Sequence, residues 1–373
     1  MGRFLFFFFL LILSIVTHAQ QRPPFDRVAV QRNYDSAFAV IKAMLDKTTT
    51  SSFKRAVFVT ENAYRENKLS YSKFDSDVQR LVKLCKSTID RGGFIYNERD
   101  KAEVSKYWSV FMVMKNLHIM EKDTVKGSIR KLTPFNYDFN DFWGEEDWTN
   151  MFVHKLMKTN TGNCHSLPFL YKILCEDLGA KAYLAMAPNH IYIKHYSRKN
   201  GWYNTELTSG QFPIDAWIMA SGYVHLSAIQ NGVYMDTLSS KQSLAVCVTD
   251  LAKGYERKFG EAANPEFIQK CVDLSLKYYP NYVNALILKA EIEKKKFEKY
   301  IVNKKAEYPS DVFSDPEAKA IYDNMEKLYF SIHQLGYRMM PKEMYESWLL
   351  ELSKEREKYS NKIISKEFST TNK

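Results

Sequence analysis

Over residues 35–120 apolar side chains return every three to four positions, as in AFAVIKAML, FKRAVFVTENAY, VQRLVKLC and YWSVFMVMKNLHIM. That spacing places one stripe of a helix against a core. Ser51-Ser52 and Arg91-Gly92-Gly93 interrupt it, so the segment predicts several helices. The period then disappears. KLTPFNYDFNDFWGEEDWTN (131–150) is dense in aromatics, Asn and Asp, and predicts an ordered aromatic loop or short strands packed on the next unit of the chain. An amphipathic helix pattern returns in LPFLYKILCEDLG (167–179), with Leu167, Leu170, Leu174 and Leu178 on one side. Three β-like runs come next, AKAYLAMAP (180–188), HIYIKHY (190–196) and GWYNTELT (201–208), the last two separated by a hairpin turn at 198–201 whose Asn200-Gly201 suits positive φ. Beyond Ser239 the pattern is helical again, broken at Tyr279-Pro280, and the tail from Ser365 is polar and expected to fray. A helix followed by an antiparallel meander, flanked by helical regions, is an α+β arrangement. The expected divisions are a helical region over 20–130, a core over 131–238 and a C-terminal helical region over 239–373.

The first residues change the expected compartment. Arg3 precedes thirteen mostly apolar residues (4–16) and then Thr17-His18-Ala19, the layout of a secretory leader over 1–19 with cleavage before Gln20. The apolar run is shorter than the roughly 20 residues of a membrane span. An uncleaved N-terminal anchor is the alternative. No later segment is long and apolar enough to cross a bilayer, so the expectation is a secreted or periplasmic protein without a span after cleavage.

Formal charge is +10, or +9 once Arg3 leaves with the leader. Much of the excess lies at 294–305 and beyond Lys354, interleaved with Glu, which describes a solvated helical face and not a nucleic-acid surface. Five cysteines, Cys85, Cys164, Cys175, Cys247 and Cys271, leave at least one without an intramolecular partner. Cys164 and Cys175 on one helix would stand about 16 Å apart, too far to bridge.

The candidate chemistry begins at TGNCHS (161–166). A thiol at the start of a helix, behind a Gly-Asn turn, meets unpaired N–H groups and the positive end of the helix dipole, which favour the thiolate. Asn163 suits the cap and Gly162 permits a tight turn. Pro168 conflicts with a helix starting at Asn163 unless the regular turns begin nearer Ser166. A nucleophile needs a base, and the base an orienting partner. His190 opens one β run and Glu206 lies in the next, so adjacent antiparallel strands would set them side by side.

GNCHSLPFLYKILCEDLG, then NHIYI, then WYNTELT resembles the transglutaminase-like superfamily of papain-like cysteine enzymes, over roughly residues 140–215. The resemblance implies Cys164 as nucleophile, His190 as base and Glu206 as the orienting acid, and a peptide or protein substrate attacked at an amide or isopeptide bond. Glu206 stands where the family usually has Asp, and the interval from Cys164 to His190 is short, which implies a more open cleft. The flanking helices resemble an exported bacterial branch of that superfamily. The C-terminal pair around Tyr279-Pro280 resembles a tetratricopeptide unit, although too few repeats are present for a solenoid. Those helices are the expected surface for a protein partner.

Other residues compete for roles beside the triad. A Trp upstream of the Cys serves some transglutaminase-like enzymes as an oxyanion donor, which makes Trp148 a candidate beside the Cys164 backbone N–H. His165 projects about 100° from Cys164 on a helix and suits a wall or a hydrogen bond. Tyr192, Trp202 and Tyr203 alternate along strands and belong to a cleft or to the core. Cys175 points into the core. A zinc site from Cys164, His165, His190 and Glu206 lacks ligand spacing, and with no glycine-rich phosphate loop, HExxH or EF-hand motif, no cofactor is expected. The rival to the enzyme is a degenerate core whose helices bind a peptide or an envelope partner.

Overall fold

A computed structural model describes residues 26–116, 119–122 and 129–369. The leader expected at 1–19 lies outside the described residues. Four helices open the fold: α1 (Arg27–Leu45), α2 (Phe53–Tyr64), α3 (Tyr71–Arg91) and α4 (Lys101–Phe111). The two predicted breaks are chemical stops. Ser52 accepts from the Arg55 N–H to cap α2, and Gly92, at φ 77°, ends α3 in a conformation a side chain would resist. The helical pattern read to Met120 ends sooner, because a π turn over Met112–Asn116 closes α4 and a hairpin comes after it, β1 (Ile119–Lys122) with β2 (Ile129–Leu132).

The aromatic loop contains β3 (Asn136–Tyr137) and a 3-10 turn at Trp148–Met151. Then come α5 (Val153–Thr159), β4 (Thr161–Gly162) parallel to β3, and α6 (Ser166–Asp177). Ser166 through Cys175 are all buried, so α6 is a central helix with no solvent face. Beside it stands a three-stranded antiparallel sheet of β5 (Tyr183–Ala187), β6 (His190–Ser197) and β7 (Gly201–Thr205). One face carries His195 and Tyr203. His195 stacks on Tyr107 of α4 at 4.1 Å and meets the Tyr171 hydroxyl of α6 at 3.0 Å.

The later elements are α7 (Asp215–Met219), α8 (Leu226–Gln230), α9 (Ser240–Phe259), α10 (Pro265–Tyr278), α11 (Val283–Lys304), α12 (Pro316–Gln334), α13 (Lys342–Lys354), α14 (Arg356–Tyr359) and α15 (Lys362–Phe368), of which α7 and α13 pack on the other face of the sheet. His190 meets Trp217 of α7 and Trp348 of α13 edge-on, and those two indoles stack 4.2 Å apart. One hydrophobic core runs from Val30 to Phe368, with a smaller cluster of Phe297, Val312 and Ala318 between α11 and α12. The tail expected to fray from Ser365 instead docks. Phe368 is buried against Phe94, Phe111 and Phe212, and that apolar contact outweighs the polar composition around it. The molecule is a mixed α+β fold.

Candidate active site

The peptide before α6 solves the problem posed by Pro168. The helix begins at Ser166, so Pro168 occupies its first turn, where a missing N–H leaves no bond unmade. Asn163 still does the capping chemistry: its Oδ1 accepts from the N–H groups of His165 and Ser166 at 3.0 and 3.1 Å. Its Nδ2 donates to the Phe142 carbonyl at 2.9 Å. Gly162 is needed for room more than for its dihedral freedom. An added Cβ would collide with Ser166 Oγ, which accepts from the Asn163 N–H at 3.0 Å and donates to the Asn150 carbonyl at 2.9 Å. The turn therefore holds Cys164 at the lip of a cavity, half-buried, with a backbone N–H that has no hydrogen-bond partner among the described residues.

His190 reaches the same place from the sheet. Pro188-Asn189 forms the turn between the paired residues Ala187 and His190, and Asn189 takes the left-handed conformation at φ 56°. The Asn189 carbonyl lies 3.8 Å from Cys164 Sγ, which places the first residue of β6 beside the thiol. Glu206 stands one residue beyond β7. Extending the pairing of Ile193 with Thr205 sets it diagonally across from His190 on the same face. Reciprocal backbone bonds with Gln211 at 2.8 and 3.0 Å fix that end.

The resulting relay is buried and ordered. His190 Nε2 bonds Glu206 Oε2 at 2.5 Å, while Glu206 Oε1 accepts from the N–H and hydroxyl of Thr208, both at 2.7 Å. The opposite nitrogen, Nδ1, meets the Tyr345 hydroxyl at 2.9 Å, and ring and phenol both act electrostatically on the Cys164 thiol, whose own hydrogen-bond contact is the Asn189 carbonyl. Tyr137 completes the surround, 3.3 Å from Tyr345 between hydroxyls.

Electrostatics follow from those neighbours. Burial pushes the Cys164 thiol up, but the hydrogen bond and charge of His190, then Tyr345 and the charge of His165, outweigh it and hold the thiol below its ordinary value. Burial opposes the His190 imidazolium, yet the Glu206 carboxylate and the thiol beside it raise His190 to about 10. Glu206 is held below its ordinary value: burial is overcome chiefly by His190, with Thr208 adding hydrogen bonds. Together these favour the thiolate–imidazolium form of the pair over the neutral form.

The thiol and the imidazole open onto a cavity of about 220 Å³ between α2, α9, the start of α11 and the aromatic loop. His165 lines it, with Nδ1 on the Met151 carbonyl and Nε2 on Asp250 Oδ2, both at 2.9 Å. Trp148 also lines it, its indole nitrogen facing α9 at Gly254, where an added Cβ would stand 3.6 Å away. Trp202 does not belong there. It shares a face with His190, but its partner across the sheet, Tyr196, is six residues along β6 from His190, roughly 20 Å away. Trp202 is 50% exposed at the hairpin tip, against Tyr183 and Tyr196. Tyr192 and Tyr203 are buried on opposite faces of the sheet and serve the core.

The cysteines are all free, and among the described residues no group of three or more His, Cys, Asp or Glu could hold a metal ion. Sequence reasoning missed Tyr345, Tyr137, Asp250, Lys253 and Glu61. The last is a buried carboxylate that accepts the first two N–H groups of α5 at 2.7 and 3.0 Å and is raised by burial to about 8. A local signal existed for two of them: Asp250 and Lys253 interrupt the apolar run of α9 around Leu251-Ala252, as charges facing a functional cavity do. Compared with protein-family models, curated proteins and solved structures, the chain shows no match.

Proposed function

We propose that the protein is an exported cysteine enzyme with a transglutaminase-like core, acting on an amide or isopeptide bond of a peptide or protein. The observation that carries this is the buried relay of Glu206, His190 and Cys164, with the thiol held low and the imidazole held high. In the proposed cycle, Cys164 Sγ attacks the carbonyl carbon and the carbonyl π pair moves onto oxygen. The Cys164 N–H, without a hydrogen-bond partner among the described residues, is the proposed donor to that oxyanion. Collapse of the intermediate expels the amine, which takes its proton from His190, and leaves a thioester. Attack by water with His190 as base gives a carboxylic acid, and attack by a second amine gives a new amide. Glu206 stabilises the imidazolium and orients its ring. The leader at 1–19 is the basis for placing the enzyme outside the cytoplasm.

The test is turnover or acyl-adduct formation on peptide amides, followed by mass spectrometry. Cys164→Ala and His190→Ala should each abolish it; thermal stability should stay near wild type in Cys164→Ala and fall in His190→Ala, which leaves the buried Glu206 carboxylate without its partner. An adduct on another residue, or turnover that survives Cys164→Ala, would overturn the assignment. One observation favours a second function, binding without catalysis: the Tyr345 hydroxyl occupies the His190 Nδ1 position from which a leaving amine would take its proton. Partner binding that persists in both variants, with no adduct on Cys164, would support that function.

A further inference from the structure

Charges lining the cavity have partners, with one exception. Asp250 is matched by His165 at 2.9 Å, Glu61 by the N–H groups of α5, and His190 by Glu206. Lys253, one turn after Asp250 on α9, lines the same cavity, partly buried, and makes no hydrogen bond or ion pair among the described residues. Nearby carboxylates reach it only at longer range: Asp250 is engaged by His165, Glu256 by Lys295, and Glu291 is exposed. Burial pushes the Lys253 ammonium down, so holding the charge there costs free energy that the longer-range attraction of Asp250, Glu291 and Glu256 only partly offsets. The wall of the cavity is largely aromatic, with Tyr64, Trp143, Trp148, Phe152, Tyr234 and Tyr282.

We infer that Lys253 is the anchor for a carboxylate on the substrate, so that the enzyme takes an amide whose acyl side carries a free carboxyl group, held by the Lys253 ammonium while its carbonyl lies at Cys164. This rests on the cysteine-enzyme assignment for the meaning of "substrate". The anchoring contact itself depends only on the cavity. A volume of about 220 Å³ admits a segment of side-chain size and not a folded partner. The partial burial of Lys253 lowers the local dielectric, which strengthens an ammonium–carboxylate bond relative to the same bond at an open surface. His165, raised above its ordinary value chiefly because Asp250 outweighs the effect of burial, forms with Asp250 a pair of no net charge, which leaves Lys253 as the lining cation without a contacting anion among the described residues.

The test uses chloroacetamides as probes of the full-length protein: the thiolate displaces chloride and leaves the probe bonded to Cys164. N-chloroacetyl ω-amino acids from glycine to 6-aminohexanoic acid are compared with their neutral methylamides. For the linker that spans the cavity, the acid should alkylate Cys164 about tenfold faster than its amide, the ratio expected for one hydrogen bond to a charged group. Lys253→Met should bring that ratio to one, and Lys253→Arg should keep most of it. N-chloroacetyl-glutamine and N-chloroacetyl-isoglutamine then separate a main-chain carboxylate from one on a side chain. A ratio near one at every length, or one unchanged by Lys253→Met, overturns the anchor. The ratio cancels the intrinsic reactivity of the thiol, so it reads Lys253 alone. The pH profile with the neutral probes separately reads the Cys164–His190 pair.

Discussion

Cys164, just ahead of α6, and Cys175, near its far end, are separated by eleven residues and show opposite chemistry. Burial pushes both thiols up. At Cys175 the neighbouring Cys85 and Glu176 push the same way against Lys172 alone, and the thiol stays well above its ordinary value. At Cys164 the balance reverses, because His190, Tyr345 and His165 all favour the anion. A position at a helix start does not by itself make a nucleophile. The reversal comes from a histidine on the sheet and a tyrosine on α13, groups that only the tertiary fold delivers.

The contrast can be broken in graded ways. The largest effect belongs to Cys164→Ala, which should reduce acyl-adduct formation and turnover by a factor of about a thousand or more, while calorimetry finds the melting temperature little changed. Glu206→Gln comes next. It removes the charge facing a buried imidazolium and should cost about 3 kcal/mol of stability by chemical denaturation.

The pH signs come from the same pair. Turnover should rise as Cys164 loses its proton, below the ordinary thiol value, and fall through about 10 as His190 loses its own. In Glu206→Gln the alkaline limb should move to lower pH, since the charge that raises His190 is gone. Stability obeys linkage. The contribution of His190 is fully present below its ordinary value of 6.5 and is lost as pH rises through about 10, whereas that of Glu206 is lost on the acid side. His190→Ala should flatten the alkaline decline in unfolding free energy.

Smaller effects sharpen the comparison. Cys175→Ser places a hydroxyl in an apolar site and should destabilise by about 1–3 kcal/mol, with the alkylation profile of Cys164 unchanged. Tyr345→Phe removes one hydrogen bond from His190 Nδ1 and should cost about 1 kcal/mol. It should also raise the Cys164 thiol, by less than His190→Ala does, in the same titration.

Much of the site was legible because its parts are local. The Gly162-Asn163 turn, the start of α6 and the meander around Asn200-Gly201 are each specified within a few residues, and strand pairing then aligns His190 with Glu206. Trp202 was misjudged because alternation gives the face of a strand and not the distance along it. The strand β1 was missed because the period of α4 runs on through the π turn to Met120, inside it. Tyr345 could not have been found: it reaches His190 across 155 positions, from a helix whose amphipathic pattern says only that one face is buried. The pairing of His165 with Asp250 across 85 positions was hidden for the same reason.

The most direct test is the rate of alkylation of Cys164 against pH in the purified protein and in His190→Ala, read by mass spectrometry with Cys175 as the internal control. An inflection for Cys164 below the ordinary thiol value, moving up in His190→Ala while Cys175 stays unreactive, is the predicted result. A Cys164 inflection near the ordinary value of 9.0, the same with and without His190, would contradict the thiolate–imidazolium pair on which the proposed function stands.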